Sequence, residues 1–420
     1  MSFVADEPMP NTLFSQEKEL RVPAKHALYI DEVLAMILDE LVNDKRSLSH
    51  LAFTCKAIAE PALDLLWALN DSLEPFIALL PKGLRLNEES CIEFDSLAVS
   101  RPLPEQWVNF DNYARRARRL YTRTVTMNPH RIYSSIYQQL TALRPDVELF
   151  PNLTNLVFHA KNSPSIHLRF FPSSLRFLTL SWANVVCGDH EGTIWSSIMT
   201  RLFHDAPLIE KIHFEGSPRD PVQSLTPLPF KSLREVRIKC SPIFPNVLRT
   251  YCHALSASPI RELDLRFIRW SDPRLQPISP VFPSLKKLTV DGPSRAMDFI
   301  QRLSSLQLEE LVIALQSDRG GEPMVHYAQL LSLLAEKYRG VIRKLDIQYS
   351  LLCEEQAELE LFLRAVRVLV DAGLDELHLY LIVGSQELTQ EVQEMIDPSR
   401  WTALGHFRIL SRCGRTPLSL

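Results

Sequence analysis

From residue 150 onward, apolar side chains return in one triplet spacing, i, i+3, i+5, separated by polar positions. The triplets are Leu153/Leu156/Phe158, Leu175/Leu178/Leu180, Ile209/Ile212/Phe214, Leu233/Val236/Ile238 and Ile260/Leu263/Leu265. They continue as Leu285/Leu288/Val290, Leu308/Leu311/Ile313, Ile342/Leu345/Ile347, Leu374/Leu377/Leu379 and Leu404/Phe407/Ile409. Two apolar residues flanking one polar residue give the period of a strand with one buried face. The amphipathic stretches at 194–204, 294–306, 326–338 and 355–370 have the length and period of helices. The pattern predicts an α/β solenoid, with a parallel sheet on its concave face and helices on its convex face.

The first anchors run from Leu153 to Leu404, a mean interval of about 28 residues, which is the leucine-rich-repeat period. Phe-Pro pairs at 150, 171 and 282 mark turns into strands. The Asn that usually closes the strand segment of such repeats is absent, its place held by Lys161, Ala183, Ser217, Ser241 and Ile268. A single repeat cannot bury its own apolar face, so stability must come from the stacking of neighbours.

The N-terminal part reads differently. After a polar arm expected to be flexible over 1–25, Ile30, Val33, Leu34, Ile37, Leu38 and Leu41 form one face of a helix with Asp31 at its start, where a carboxylate favours the helix dipole. A second stripe follows in Leu48, Leu51, Ala52, Cys55, Ile58 and Ala59, and Pro61 suits the first turn of a third helix carrying Ala62, Leu65, Leu66 and Leu69. Ser72 is placed to cap a fourth, with Leu73, Phe76, Ile77 and Leu80 inward. So small a unit, spanning 26–81, exposes apolar surface that needs a partner. That partner is either the rest of this chain or another protein.

The stretch from Ala27 to Leu41, followed by LSHLAFTCKAIAEPALDLLW at 48–67, resembles the F-box motif in the form found in fungal, basidiomycete-type F-box proteins with C-terminal leucine-rich repeats. Matching features are Leu28 and Ile30 leading into Val33 and Leu34, then Ile37, Leu41, Leu51, Cys55-Lys56 and Leu66-Trp67. The motif's usual starting Pro is Asp31 here, and the aromatic expected after the Cys is Ile58. The resemblance implies docking onto a Skp-type adaptor of a cullin-type ubiquitin ligase, through Ile30, Val33, Leu34, Ile37, Leu51 and Cys55.

Residues 82–149 read as a helical bridge. Phe110, Tyr113, Ala114, Ala117, Leu120 and Tyr121 make a stripe whose other side carries Arg115, Arg116, Arg118, Arg119 and Arg123. Those arginines read as a solvated, ion-paired face, with an anionic-ligand patch as the alternative. The Trp107 to Ala114 pattern is similar to the segment joining F-box and repeats in the same family.

Composition narrows the functional classes. Hydrophobic residues make up 46% and charged residues 23% of the 420, as in ordinary globular proteins. Only 12 residues are Gly, against 29 Pro, which argues against Gly-rich phosphate loops. A formal net charge of -4 offers no overall excess of cations for a phosphate backbone, so no nucleic-acid partner is expected. No apolar run approaches a membrane span, the first residues lack a secretory core, and a cytoplasmic or nuclear location is expected. Seven cysteines stand at least 12 residues apart, without the paired spacing of a zinc site, so no metal and no cofactor is expected.

Outward residues of successive repeats should stack. The i+2 row, Lys211, Glu235, Glu262, Lys287, Glu310, Lys344 and Glu376, is opposite in sign at five of its six neighbouring pairs and is expected to pair with itself. The i+4 row supplies the candidate target-binding residues His213, Arg237, Asp264, Asp346, His378 and Arg408. No phosphate loop, zinc-protease or nucleophile-elbow motif is present, and Asp189, His190 and Glu191 read as a loop. The chain is expected to be a non-enzymatic substrate receptor, binding the adaptor through residues 28–67 of the helical unit and a target protein through the repeats of residues 150–420. The rival expectation is a repeat scaffold whose N-terminal helices merely cap the solenoid.

Overall fold

The computed structural model describes residues 30–54, 56–81, 84–86, 92–94, 103–121, 140, 143–160, 171–182, 191–216, 227–240, 245–267, 281–293, 296–305, 307–316, 324–353, 356–383, 390, 394, 406–409 and 418–419. The arm over 1–25, Cys55, Arg123, Asp189 and His190 lie outside the described residues.

Three helices come first: α1 (Asp31–Glu40), α2 (Lys45–Ala52) and α3 (Lys56–Ala68). Asp44 starts α2 by accepting the Ser47 amide at 3.0 Å, which explains why the polar break at Asn43 to Lys45 separates two helices. Leu34, Leu38, Leu48, Ile58 and Ala62 bury one another in a small core of their own, flanked by Leu41, Leu51, Leu65 and Leu66. Pro61 lies inside α3 instead of starting a new helix. Ile58 and Ala62, on either side of it, both enter that core, and their burial holds the helix through the missing amide.

The chain then joins the sheet at once. Strand β1 (Leu69–Asn70) pairs in parallel with β4 (Arg119–Tyr121). Between them lie the short helix α4 (Glu74–Ile77), an antiparallel hairpin of β2 (Leu84–Leu86) and β3 (Ile92–Phe94), a 3-10 turn (Pro104–Trp107) and α5 (Val108–Ala114). Two sequence expectations change here. The N-cap is Leu73 and not Ser72, with no side-chain capping bond, and the fourth helix shrinks to the single turn Glu74–Ile77 with Pro75 in it. The stripe from Phe110 to Tyr121 is not one helix: it stops at Ala114, and Leu120 is the buried residue of β4.

Ten more strands follow the ten triplets: β5 (Asn155–Ala160), β6 (Phe177–Trp182), β7 (Lys211–Glu215), β8 (Glu235–Cys240), β9 (Glu262–Phe267), β10 (Lys287–Pro293), β11 (Glu310–Gln316), β12 (Lys344–Cys353), β13 (Glu376–Val383) and β14 (His406–Ile409). With β1, β4 and the closing β15 (Leu418–Ser419) they form one 13-stranded sheet, parallel from β1 through β14 and antiparallel only at β15. Middle anchors align across every neighbouring pair, as in Leu156, Leu178, Ile212 and Val236. The alignment continues through Leu263, Leu288, Leu311, Leu345, Leu377 and Phe407.

Helices α6 (Glu191–Asp205), α7 (Pro245–Leu255), α8 (Ala296–Arg302), α9 (Met324–Lys337) and α10 (Gln356–Asp371) alternate with the strands. Four of them coincide with the predicted amphipathic stretches. Their buried faces, such as Leu330, Leu331 and Leu334 of α9 and Phe362, Leu363 and Val366 of α10, meet the strand anchors in one core that runs from Leu73 to Leu377. Phe150, Phe171 and Phe282 of the Phe-Pro turns are all buried in it. Gly373, at φ 103°, lets the chain leave α10 in the left-handed region and enter β13 three residues later.

A backbone device repeats at the start of each strand from β5 to β13. The Arg118 carbonyl accepts the amides of both Thr154 and Asn155, each at 2.9 Å. The Thr154 carbonyl accepts Arg176 and Phe177, and the same fork recurs at Arg176, Glu210, Arg234, Arg261, Lys286, Glu309 and Arg343. The architecture is a leucine-rich-repeat-like α/β solenoid preceded by a helical unit.

Candidate protein-binding surfaces

Two exposed surfaces carry the sequence-predicted residues. The first belongs to the helical unit. Ile30 and Ile37 are exposed, Val33 and Leu51 are half-buried, and Leu34 is buried in the three-helix core. Met36 and Phe53, 65% and 87% exposed, are large apolar side chains that the sequence pattern did not single out. Both are visible in the sequence as apolar residues outside the helical stripe. Cys55 lies outside the described residues. Ile30, Met36, Ile37 and Phe53 together are more exposed apolar side chain than an isolated helix pair needs to show.

The end of the solenoid is closed by other residues. Phe76, Phe110 and Phe150 stack edge-on, with ring centroids 4.9 to 6.2 Å apart, and Trp107 adds to them at 5.6 Å from Phe110. The helical unit meets this cap along one seam. Trp67, at the end of α3, packs at 4.5 Å on Tyr113 and 5.2 Å on Phe76. Arg116, after α5, pairs with Glu60 at 2.5 Å and with Asp64, both on α3. Burial opposes the Arg116 charge, and its hydrogen bond to Glu60 and its ion pairing with Asp64 outweigh that and raise its pKa.

The second surface is the open face of the sheet. Its i+2 row is a ladder in the predicted register, with Lys211 to Glu235 at 2.6 Å, Lys287 to Glu310 at 2.9 Å and Lys344 to Glu376 at 3.1 Å. The i+1 row adds Arg176 to Glu210, Lys286 to Glu309 at 2.7 Å and Arg343 to Asp375 at 3.0 Å. Parallel strands about 4.8 Å apart bring such side chains within direct reach.

Three of the candidate target-binding residues join this pairing. His213 Nε2 lies 3.0 Å from Glu235, and Arg237 lies 2.8 Å from Asp264 and 3.8 Å from Glu235. Arg266 closes on Asp264 at 3.0 Å. The result is one network over β7, β8 and β9, linking the i+2 and i+4 rows diagonally. Burial pushes the Glu235 carboxyl up, but hydrogen bonds from Lys211 and His213 outweigh it and hold the group below its ordinary value. Asp346 and His378 are half-buried and stand in register on β12 and β13, with Arg408 at the same position on β14. They are therefore not brought together with His213, which stands five strands away from Asp346.

On the helix side, α9 and α10 enclose a groove of about 480 Å³ lined by Ala328, Leu333, Leu361 and Val368, with Gln329, Glu336 and Arg364 at its rim. Among the described residues no three His, Cys, Asp or Glu side chains are grouped so as to hold a metal, and no helix is long and apolar enough to cross a membrane. No protein-family model matches the chain, and no curated protein is significantly similar to it in sequence.

Proposed function

We propose that this protein is a substrate-recognition subunit of a cullin-type ubiquitin ligase, in which the helical unit docks as an F-box on a Skp-type adaptor and the sheet face binds a target protein. The observation that carries the reading is the separation of two cores. Leu34, Leu38, Leu48, Ile58 and Ala62 bury one another, whereas the solenoid end is sealed by Phe76, Trp107, Phe110 and Phe150. The exposed Ile30, Met36, Ile37 and Phe53 are thus left over from intramolecular packing, as a docking unit requires. Ubiquitin chemistry would reside in partner subunits.

One observation favours the rival reading of a scaffold with a helical cap, namely the seam of Trp67, Tyr113 and Arg116 that joins the helices to the repeats. Co-expression of the full chain with a Skp-type adaptor separates the two. Ile37→Asp combined with Phe53→Asp changes exposed residues only and should abolish co-purification while the protein stays folded. Undiminished capture by that variant overturns the docking role. Deletion of residues 1–66 provides the complementary test: a docking unit comes away and leaves a folded solenoid, whereas removal of a cap aggregates it.

A further inference from the structure

The open face of the sheet is not electrically uniform. Every strand from β7 to β13 carries at least one Asp or Glu. Strands β4, β5 and β6, with sequences RLY, NLVFHA and FLTLSW, carry none. The imbalance extends to the segment around them. Residues 112–188 hold ten Lys and Arg against two acids, Asp146 and Glu148, in a chain whose net charge is -4.

Several of these cations are already neutralised: Arg116 by Glu60 and Asp64, Arg144 by Asp111, and Arg176 by Glu210. Arg119 is not. It projects from the exposed side of β4, its guanidinium 4.7 Å above the Tyr121 ring, and among the described residues no carboxylate pairs with it. The Arg118 side chain, beside it, donates to the Asn152 carbonyl at 3.3 Å, and among the described residues no carboxylate pairs with it. Across the face, Phe177 on β6 lies under the Lys211 ammonium at 5.6 Å, with Asn155 and Val157 of β5 between the two aromatic rings in the strand register.

We infer that the outer face of β4–β6 is the target-docking part of the sheet and that it takes a short, unmodified acidic segment of a partner protein, carboxylates toward Arg118 and Arg119 and apolar or aromatic side chains on Tyr121 and Phe177. The Tyr121 ring holds the Arg119 guanidinium in place without neutralising its charge, which leaves that charge available to a carboxylate. The self-paired network on β7–β9 bounds the site on its far side. From β4 to β7 spans about 14 Å, or some four extended residues. A nucleic-acid strand continuing along the sheet would run onto the acid-bearing strands, which is why a peptide is the assigned occupant.

The inference rests on the receptor reading and names its target class. Fluorescence anisotropy on the full chain, with a labelled peptide of alternating glutamate and tyrosine, tests it. The matched glutamine and tyrosine peptide, a phosphoserine peptide and a single-stranded oligonucleotide serve as rivals. The glutamate peptide should bind, weaken with added salt, and lose about tenfold or more in affinity with Arg119→Glu. A severalfold loss is expected with Phe177→Ala and none with Arg266→Gln. Should Arg119→Glu misfold, Arg119→Gln supplies the same comparison. Equal binding by the glutamine peptide, tighter binding by the phosphopeptide or oligonucleotide, or indifference to Arg119 overturns the inference. Such an outcome with adaptor capture intact leaves the receptor role standing; lost adaptor capture with peptide binding intact does the reverse.

Discussion

Arg116 Nη2 lies 2.5 Å from the Glu60 carboxylate and fixes the helical unit to the first turn of the solenoid. The guanidinium is largely buried at the seam while both its acidic partners, Glu60 and Asp64, remain exposed. Replacing Arg116 with Leu should keep the contact packed and remove the charge tie. The expected outcome is faster hydrogen exchange in α1–α3 with unchanged protection of β5–β13, because exposed carboxylates tolerate the loss of a partner.

Leu34 and Ile37 sit one turn apart on α1 and should behave oppositely. Leu34→Asp places a charge in the three-helix core and should unfold that unit, seen as loss of helical signal in circular dichroism. Ile37→Asp alters an exposed position and should leave the melting curve within about 0.5 kcal/mol of the parent.

Phe214 is fully buried on β7, its ring stacked 5.5 Å from Tyr251 of α7. Phe214→Ala removes a strand anchor and a helix contact together, and should destabilise the protein by about 3 to 5 kcal/mol in denaturant unfolding. In a stacked array the loss should open the repeats on both sides of β7 first, with the helical unit unaffected.

The Lys211 to Glu235 pair makes stability depend on pH in two directions. The Glu235 carboxyl is held below its ordinary value, so its contribution is complete above about pH 4.3 and disappears as pH falls through the folded-state value. The hydrogen bond to Glu235 raises the Lys211 ammonium, so that contribution is complete below about pH 10.4 and disappears as pH rises through its folded-state value. The difference in Tm between the parent and the Lys211→Met, Glu235→Gln double variant should be level from about pH 5 to pH 9 and shrink on either side.

Cys252 is buried on α7, and burial alone pushes its thiol up to about 12. Because the thiolate is the reactive form, native protein should resist alkylation at this residue, while denaturant should expose it to rapid labelling. Peptide mass spectrometry after brief iodoacetamide treatment measures both.

The repeats were legible because the triplet spacing is a direct image of the strand: Leu156 and Phe158 face the core and Val157 does not. The start of the sheet was not, for a specific reason. Ala117 and Leu120 are separated by i+3, a spacing shared by helix faces and by the first two anchors of a repeat, and the helical residues before them favour the wrong choice. At β1 the anchor position is occupied by Asn70, buried with its side-chain amide donating to the Trp67 carbonyl, and no hydrophobic pattern can reveal a polar anchor.

Helix α7 carries a readable signal in Leu248, Tyr251, Cys252 and Leu255, at i, i+3, i+4 and i+7, which lies between two strand triplets and belongs to neither. The charge network was half-legible. A single row predicts the Lys211 to Glu235 rung, whereas the contact of Glu235 with His213 runs diagonally between rows of neighbouring strands, and its 3.8 Å ion pair with Arg237 runs along β8 itself.

The forked carbonyls from Arg118 to Arg343 bear on how such a chain could lengthen or shorten. Each fork leaves a unit's acceptor satisfied only by the two amides that begin its successor, so adjoining units interlock head to tail through identical joints. Duplicating or excising one complete module re-forms the same joint across the scar, whereas an out-of-phase cut strands an acceptor on one side and two donors on the other. Engineered versions with more or fewer modules should accordingly remain foldable in whole-module steps and fail at fractional ones.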